Sequence, residues 1–467
     1  MTPAERPALA LLAELRAIVG PENVLVDPER LVPYGKDESD LGEFPPDVVV
    51  RPATAKEISR LLVLCGERGV PVTPSAARSG KSGGCLPVRG GVVLSVERMN
   101  RILEIRREDL VGRVEPGVVT GDYMKAVEAV GLFYPPDPAS LAFCTIGGNV
   151  AENAGGPRAL KYGVTRDYVL GLELVLPTGE ILRTGKETIK GVAGFDLTAL
   201  LVGSEGMLGV VTEITTQLLP LPREVQTALC LFPDTERASR AVSAVLAAGV
   251  LPRALELIDD VAIRASRVAK APFNFPEGCG AALVAEVDGN LAEACARELE
   301  RVGEICAREG ALDVLLAQNE GQRRDLWETR RRVSVNLKSL HPMKISEDVA
   351  VPRSRIPELV AAVQAIGRKL GLEVACYGHA GDGNLHANVL YDRKEERPRV
   401  DEAVAELLRA AVAMGGTITG EHGVGLAKKE LLGLEQSPEL IALQRRIKAL
   451  FDPKGILNPG KMFPGER

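Results

Sequence analysis

Apolar positions along the chain alternate between a helical and a strand-like period, and the switches between them divide it. Leu9, Leu12, Leu15 and Val19 make a stripe at helical spacing, broken by Glu5, Glu14 and Arg16, which predicts an ordinary surface helix. Thr54-Ala-Lys-Glu57 is a capping box. Its threonine and glutamate side chains satisfy backbone N–H groups left open at a helix start, so a helix is predicted over Ile58–Glu67, closed by Gly69 and followed by a strand over Val70–Thr73. From Gly90 to about Leu219, β-rich runs (Val92–Val96, Val111–Val114, Val169–Leu176, Val210–Leu218) alternate with Gly/Pro turns and one or two short helices, the pattern of an α+β domain.

Past Pro220–Pro222 the texture changes. A strand over Thr227–Phe232, a helix over Thr235–Ala248, a strand over Ala281–Glu286, a helix over Ala292–Glu309 and a strand over Leu312–Leu316 are predicted in turn. This β-α-β order with amphipathic helices implies a second, ferredoxin-like α+β domain with helices on one sheet face. A helix over Pro352–Leu370 leads to a β-hairpin whose arms are Glu373–His379 and Leu385–Tyr391 around the turn Ala380–Asn384. The last 40 residues read as helical over Pro438–Leu450. The expected division is an N-terminal segment 1–44, domains over 45–221 and 222–425, and a C-terminal segment 426–467.

At 467 residues the chain exceeds what one core usually organises, which fits this division. Its 45 % apolar and 26 % charged content and net charge of −6, spread without a basic tract, point away from nucleic acid. No run reaches the ~18 uncharged apolar residues that span a bilayer, and no leader cleavage pattern follows the first helix. The expected location is therefore cytoplasmic, with any membrane contact peripheral and through a partner. The eight cysteines lie singly with no C-x-x-C pair, so they read as reduced and structural, and an iron–sulfur cluster within the chain is not expected.

Candidate chemistry concentrates in four places. Pro74-Ser-Ala-Ala-Arg-Ser-Gly-Lys-Ser-Gly-Gly84 follows a strand. Its small residues let backbone N–H groups approach an anion, Ser79 and Ser82 add hydroxyls, and Arg78 and Lys81 add charge, which suits a diphosphate; a glycine-rich surface loop is the alternative. A second small-residue run, Thr145-Ile-Gly-Gly-Asn-Val-Ala-Glu-Asn-Ala-Gly-Gly156, then Lys161-Tyr-Gly163, strengthens the case, since two such runs in one domain favour a large cofactor. There is no G-x-G-x-x-G for a nicotinamide site. Third, of only four histidines, three fall in Gly378–His386 and Gly420–Gly425. If His379 and His386 flank a tight turn they can converge, with Asn388 on the face of His386, and Glu421 would complete a His₂-carboxylate set for Zn²⁺, Mn²⁺ or Fe²⁺; hydrogen-bonded turn histidines are the alternative. On an extended segment His422 would point away from Glu421, toward substrate, with a pKa suited to proton abstraction. Fourth, Leu326–Ser334 carries three arginines and the single tryptophan; a solvated helix face is the ordinary reading of it, and likewise of Lys344.

These strings, with Leu201-Val-Gly-Ser-Glu-Gly-Met-Leu-Gly-Val-Val-Thr212 and Leu457-Asn-Pro-Gly-Lys461, resemble the FAD-linked oxidases of the vanillyl-alcohol oxidase/p-cresol methylhydroxylase superfamily, in order and over about residues 45–459. Within it the chain is most similar to the branch of glycolate oxidase flavoprotein subunits and D-lactate and D-2-hydroxyglutarate dehydrogenases. The resemblance implies a two-part FAD-binding domain plus a ferredoxin-like substrate (cap) domain. It implies that Ala76, Ala77, Arg78, Ser79, Gly80, Lys81 and Ser82 hold the FAD diphosphate, that Thr145, Gly148, Asn149, Ala151, Gly155 and Val211 line the flavin, and that Asn458 returns to it. It further implies that Arg330 clamps a substrate carboxylate with Ser334 and Lys344 assisting, that Asn388 lies at the substrate, that His379, His386 and Glu421 bind the metal, and that His422 is the base. Two departures matter. The family's Arg-Gly-Ala-Gly-Thr-Gly loop here reads Ser75-Ala-Ala-Arg-Ser-Gly80, and no histidine precedes His341, so FAD is expected to be non-covalent.

The expected activity is oxidation of a D-2-hydroxy acid by hydride transfer to flavin N5, with electrons passed to a separate acceptor, by analogy iron–sulfur and second flavin subunits. A metal hydrolase would leave the cofactor loops unexplained. A non-catalytic flavin subunit would have no need of Arg330 or His422, and a same-fold ether-lipid synthase would not account for the metal-site strings.

Overall fold

The computed structural model describes residues 7–465; Glu5 and the rest of the first six residues of the expected N-terminal helix lie outside the described residues. Two compact units emerge. Unit 1 comprises Met1–Ala154, Val164–Leu221 and Glu421–Arg467, and unit 2 comprises Gly155–Gly163 and Pro222–Gly420. Relative to the expected limits, residues 421–425 group with unit 1, where the Glu205 carboxylate accepts from the Val424 and Gly425 N–H groups. Gly155–Gly163 groups with unit 2, where Asp288 accepts from Lys161 Nζ (2.5 Å) and the Tyr162 hydroxyl (2.8 Å).

Unit 1 is itself in two parts. One is a four-stranded sheet ordered Val24–Leu25, Val48–Val50, Val92–Ser95, Val72–Ser75, whose last three strands are parallel. Parallel strands are covered on both faces, and accordingly Val48–Val50 and Val92–Ser95 are buried at every position. The helix Ala55–Arg68 packs on this sheet, with Ile58, Leu61, Leu62 and Cys65 in a core shared with Leu11, Leu15 and Val19. The N-terminal stripe therefore does enter a core, but its first turn, Pro7–Leu11, is a 3₁₀ helix and Leu9 and Leu12 are only partly buried. The other part is an antiparallel sheet ordered Ile102–Arg106, Val111–Val114, Val210–Gln217, Val169–Val175, Ile181–Gly185. Val210–Gln217 alternates buried and half-buried side chains, the signature of one covered face.

Unit 2 contains the ferredoxin-like plait. Its strands Glu224–Phe232, Ala254–Ile258, Ala281–Gly289 and Asp313–Leu316 lie antiparallel, with the first and third central, the second beside the third and the fourth beside the first. Helices Thr235–Ala247 and Ala292–Arg308 follow the first and third strands. A second antiparallel sheet places Asn384–Tyr391 between Met343–Ala350 and Glu373–Tyr377. The two sheets are stitched where Leu257 and Gly378 exchange backbone hydrogen bonds (2.9 and 3.0 Å) and Gly381 N–H donates to the Leu255 carbonyl (3.0 Å).

Several elements depart from the sequence expectation. The helix predicted from Pro352 starts at Ile356, after a 3₁₀ turn. The strand predicted at Val70–Thr73 runs Val72–Ser75. Thr54 does cap Glu57 N–H, but the Glu57 carboxylate reaches past Thr54 to Ala53 N–H (2.7 Å). The hairpin strand ends at Tyr377, which leaves His379 on the connecting loop. Met343–Ala350, whose polar residues Lys344, Ser346, Glu347 and Asp348 hide its strand character, had no predicted counterpart.

Adjacent positions on the first long helix check this core. Leu62→Ala, at a fully buried site, is expected to destabilise unit 1 by about 2–5 kcal/mol, whereas Val63→Ala, 40 % exposed, should cost less than about 1 kcal/mol. Thermal melts of the two variants test the assignment, and equal losses would contradict it.

Candidate functional site

In unit 1 the first small-residue loop leaves the strand Val72–Ser75 and turns back at Gly83, whose N–H donates to Asp37 Oδ2 (2.9 Å). Arg78 takes a positive φ of 60° and lays its guanidinium 4.5 Å from the Tyr34 ring centroid. Ala77, Ser79 and Gly80 are half-buried and Lys81 is exposed. The second run forms the short helix Ile146–Glu152, preceded by Thr145 and ended by Asn153 at φ 54°. The two runs meet: a Cβ on Gly148 would sit 3.6 Å from Thr145 Oγ1 and 3.8 Å from the Ala76 Cβ. Asn149 is committed inward, its amide donating to Thr120 Oγ1 (2.8 Å), and Val211 is half-buried on its strand. Gly155 falls in unit 2.

Asn458 does return to this region, and its side chain makes three hydrogen bonds within the protein. Its amide donates to the carbonyls of Gly84 (2.9 Å) and Glu205 (2.8 Å), while its oxygen accepts from Lys461 Nζ (2.6 Å). Around the loops the hydroxyls of Ser75, Ser82 and Thr145 are buried with no hydrogen-bond partner. Buried polar atoms are rarely left so, and three beside glycine-lined backbone fit a bound group rich in acceptors, as a dinucleotide is.

Unit 2 holds the remaining candidates except Glu421 and His422, which belong to unit 1. His386 lies on the central strand opposite Asp348 and Tyr377, and His379 follows two residues after Tyr377. The imidazole rings stand 5.3 Å apart, nearly perpendicular, with ligand-capable atoms within 4.8 Å of each other. Asp348 accepts from Asn384 Nδ2 (2.6 Å), Thr419 Oγ1 (3.0 Å) and Gly420 N–H (2.9 Å), so the chain end leading to Glu421 is tied to the residue opposite His386. Glu421 is one peptide bond further on. The expectation that His422 points away from Glu421 does not hold: the chain bends there, with Gly423 at φ 82°, and His422 Nε2 lies 3.9 Å from Glu421 Oε1.

The centre of the unit 2 cluster is a residue that the sequence did not single out. Glu256, fully buried, receives His379 Nδ1 on Oε1 (2.7 Å) and pairs through Oε2 with Arg330 Nη2 (2.6 Å). Burial would push this carboxyl up, but Arg330 and His379 outweigh it and bring its pKa to about 2. An ionised carboxylate can only accept, so the shared proton sits on His379 Nδ1, and Nε2 is the ring's other nitrogen. Of Arg330, Arg331 and Arg332, only Arg330 is buried. Its Nε has no hydrogen-bond partner. Its guanidinium sits 5.1 Å from the Tyr377 ring centroid.

Lys344 Nζ donates to Ser334 Oγ (2.7 Å) and Asn388 Oδ1 (3.1 Å), so three residues drawn from separate strings converge. Burial raises the Tyr377 phenol, opposed by hydrogen bonds with Ser334 and Asn388 and by the Arg330 charge; this tyrosine links the lysine group to the arginine group. A sequence signal for Glu256 existed: it is the one charge inside the apolar run Ala254-Leu-Glu-Leu-Ile258, a strand buried at all five positions. Tyr377 carried no comparable signal.

Residues 46–185 match the family model for the FAD binding domain, and residues 221–462 match the C-terminal domain of FAD linked oxidases. The chain is 44 % identical to a glycolate oxidase subunit, GlcD, of Bacillus subtilis, covering 96 % of each. It is 35 % identical to a D-lactate dehydrogenase of Anaerostipes hadrus, covering 95 % of each. The fold superposes on substrate-bound p-cresol methylhydroxylase with a TM-score of 0.81 at 20 % identity, over 98 % of this chain and 96 % of that one. With both domains matched and relatives this similar along nearly its whole length, the chain belongs to the FAD-linked oxidases and is an FAD-dependent oxidoreductase.

Proposed function

We propose that this oxidoreductase converts a small D-2-hydroxy acid of the glycolate or D-lactate class to its 2-oxo acid, with a divalent cation and a histidine base, and delivers the electrons to a separate protein. The observation that carries this reading is the cluster around Glu256 and Tyr377, in which a buried guanidinium, two buried imidazoles and a half-buried ammonium are gathered. Such a set suits an anionic substrate bearing a second oxygen donor. The names of the glycolate oxidase and D-lactate dehydrogenase relatives support the substrate class.

In this reading Arg330 offers its unpartnered Nε edge to the substrate carboxylate while Glu256 keeps hold of Nη2. Lys344, oriented by Ser334 and Asn388, adds the second positive charge. His379 and His386 present ring nitrogens to the cation, Glu421 completes the set, and Glu256 fixes the His379 tautomer as carboxylates commonly do behind metal-binding histidines. His422 takes the hydroxyl proton. When bound, FAD supplies the two-electron acceptor and the cation (Zn²⁺, Mn²⁺ or Fe²⁺) supplies Lewis acidity beside the substrate oxygen. The eight cysteines are free and seven are buried, which suits electron delivery to a separate acceptor, by family analogy iron–sulfur and second flavin subunits. Among the described residues no helix is long and apolar enough to cross a membrane.

Acid precipitation should release all flavin into the supernatant, because no histidine precedes His341 to tether it; colour left on the denatured chain would refute non-covalent binding. Chelation should abolish substrate-driven flavin reduction while FAD stays bound. Glu256→Gln should weaken metal affinity roughly 10–100-fold, and parent-level affinity would remove Glu256 from the site. Arg330→Ala should chiefly weaken binding of the hydroxy acid. His422→Ala should slow flavin reduction at saturating substrate by roughly two to four powers of ten with FAD and metal content unchanged. Stopped-flow reduction separates the two, and a His422→Ala protein reduced at the parent rate would rule out the base.

A further inference from the structure

We propose that Glu205 is the positioning residue that seats the Glu421–His422 segment against the two cofactor loops. This rests on the reading of Glu421 as a ligand and His422 as the base. Glu205 lies in Ser204-Glu-Gly206, a turn with no evident chemistry of its own. Its side chain is buried, and its two oxygens accept the N–H groups of Val424 (2.8 Å) and Gly425 (2.7 Å), two and three residues beyond His422. Its backbone faces the other way. The Glu205 N–H donates to the Ala151 carbonyl in the second small-residue run (2.8 Å), and the Glu205 carbonyl accepts from Asn458. Asn458 in turn holds Gly84, at the end of the first loop. Just past Gly425, the Leu426 and Ala427 N–H groups donate to the Ser82 carbonyl (2.8 and 2.9 Å). One residue thus joins the base-bearing segment to both loops.

Two features indicate that a carboxylate in this conformation is required. Glu205 sits at φ 51°, a left-handed conformation that disfavours any side chain, between Gly203 and Gly206, which also have positive φ. Glycine would relieve that strain but would leave two N–H groups unmatched. Two parallel N–H donors need two acceptor oxygens, which a glutamine cannot offer because one of its terminal atoms is itself a donor. Gly423 is shaped to the same point: it lies at φ 82°, and a side chain there would collide with the carboxylates of Glu152 and Glu205.

The test uses full-length protein carrying Glu205→Gln, with Glu205→Asp as a second variant that keeps two oxygens and carries the test if the first fails to fold. Four quantities are read: FAD content, Mn²⁺ affinity by titration, the pH profile of flavin reduction by glycolate and D-lactate, and hydrogen exchange of the Val424 and Gly425 amides. Glu205→Gln is expected to retain FAD, exchange those two amides faster, bind Mn²⁺ at least tenfold more weakly and displace the acidic limb of the profile, where a general base loses activity by protonation, with Glu205→Asp intermediate. Parent Mn²⁺ affinity together with a parent profile would overturn the proposal, and so would loss of FAD from both variants, which would make Glu205 a cofactor-retention residue. Glu421→Gln is the control arm. If it binds Mn²⁺ like the parent, the reading of Glu421 fails, and amide exchange with the reduction profile then decides the role of Glu205.

Discussion

Glu256 is a carboxylate removed from water, and it is ionised, so positive charge and N–H donors must surround it. An unpaired buried charge costs several kcal/mol, far more than a typical surface ion pair returns. His379 on one oxygen and Arg330 on the other meet that demand, and neither can shift without exposing the cost. The requirement propagates. Arg330 anchors the end of its helix against Tyr377, and Tyr377 meets the Lys344 group through Ser334 and Asn388. The stitch between Leu257 and Gly378 then holds the Glu256 strand and the His379 loop in register from the backbone side. Arg330 thus already serves one carboxylate, and any further anion it met would have to share it.

Unit 1 solves a related problem with fewer formal charges. Glu205 is satisfied by backbone N–H groups rather than by a cation at contact distance, while burial, followed by the Glu205 and Asp37 charges, raises the nearby Glu152 carboxyl. Lys461, sealed in the interior, is pushed down to about 7 by burial and keeps its place through Asn458. These groups hold loops that have little hydrophobic area of their own. Small residues bring the backbone close to a ligand but contribute almost no packing, so the rigidity has to come from polar contacts at their edges.

What the sequence disclosed follows from which signals are local. Strands of the plait and their helices were legible because each carries its own period: Ala292–Arg308 buries Cys295, Leu299, Val302, Ile305 and Cys306 at helical spacing. The histidine strings were legible because histidine is scarce in this chain. Met343–Ala350 was not, because an edge strand carrying lysine, glutamate and aspartate toward a site has no apolar alternation to recognise. Glu256 and Glu205 were missed for a different reason: their partners lie 123 and 219 residues away, and nothing in a linear pattern pairs a glutamate with a distant histidine or a backbone amide. The opposed directions expected for Glu421 and His422 failed because strand alternation was applied to a glycine-rich bend.

The division of unit 1 into three stretches has a consequence for how the protein comes into being. The ribosome finishes all of unit 2 before it begins the last stretch of unit 1, Glu421–Arg467. Until that stretch emerges, Glu205 lacks the amides of Val424 and Gly425, and Gly84 lacks the Asn458 side chain. Unit 2 can close earlier, because Lys161 and Tyr162 are already available when Asp288 is made. The cofactor loops therefore gain their last contacts only after all of unit 2 has been made, and a chain cut after Leu457 would leave the carbonyls of Gly84 and Glu205 without the Asn458 amide.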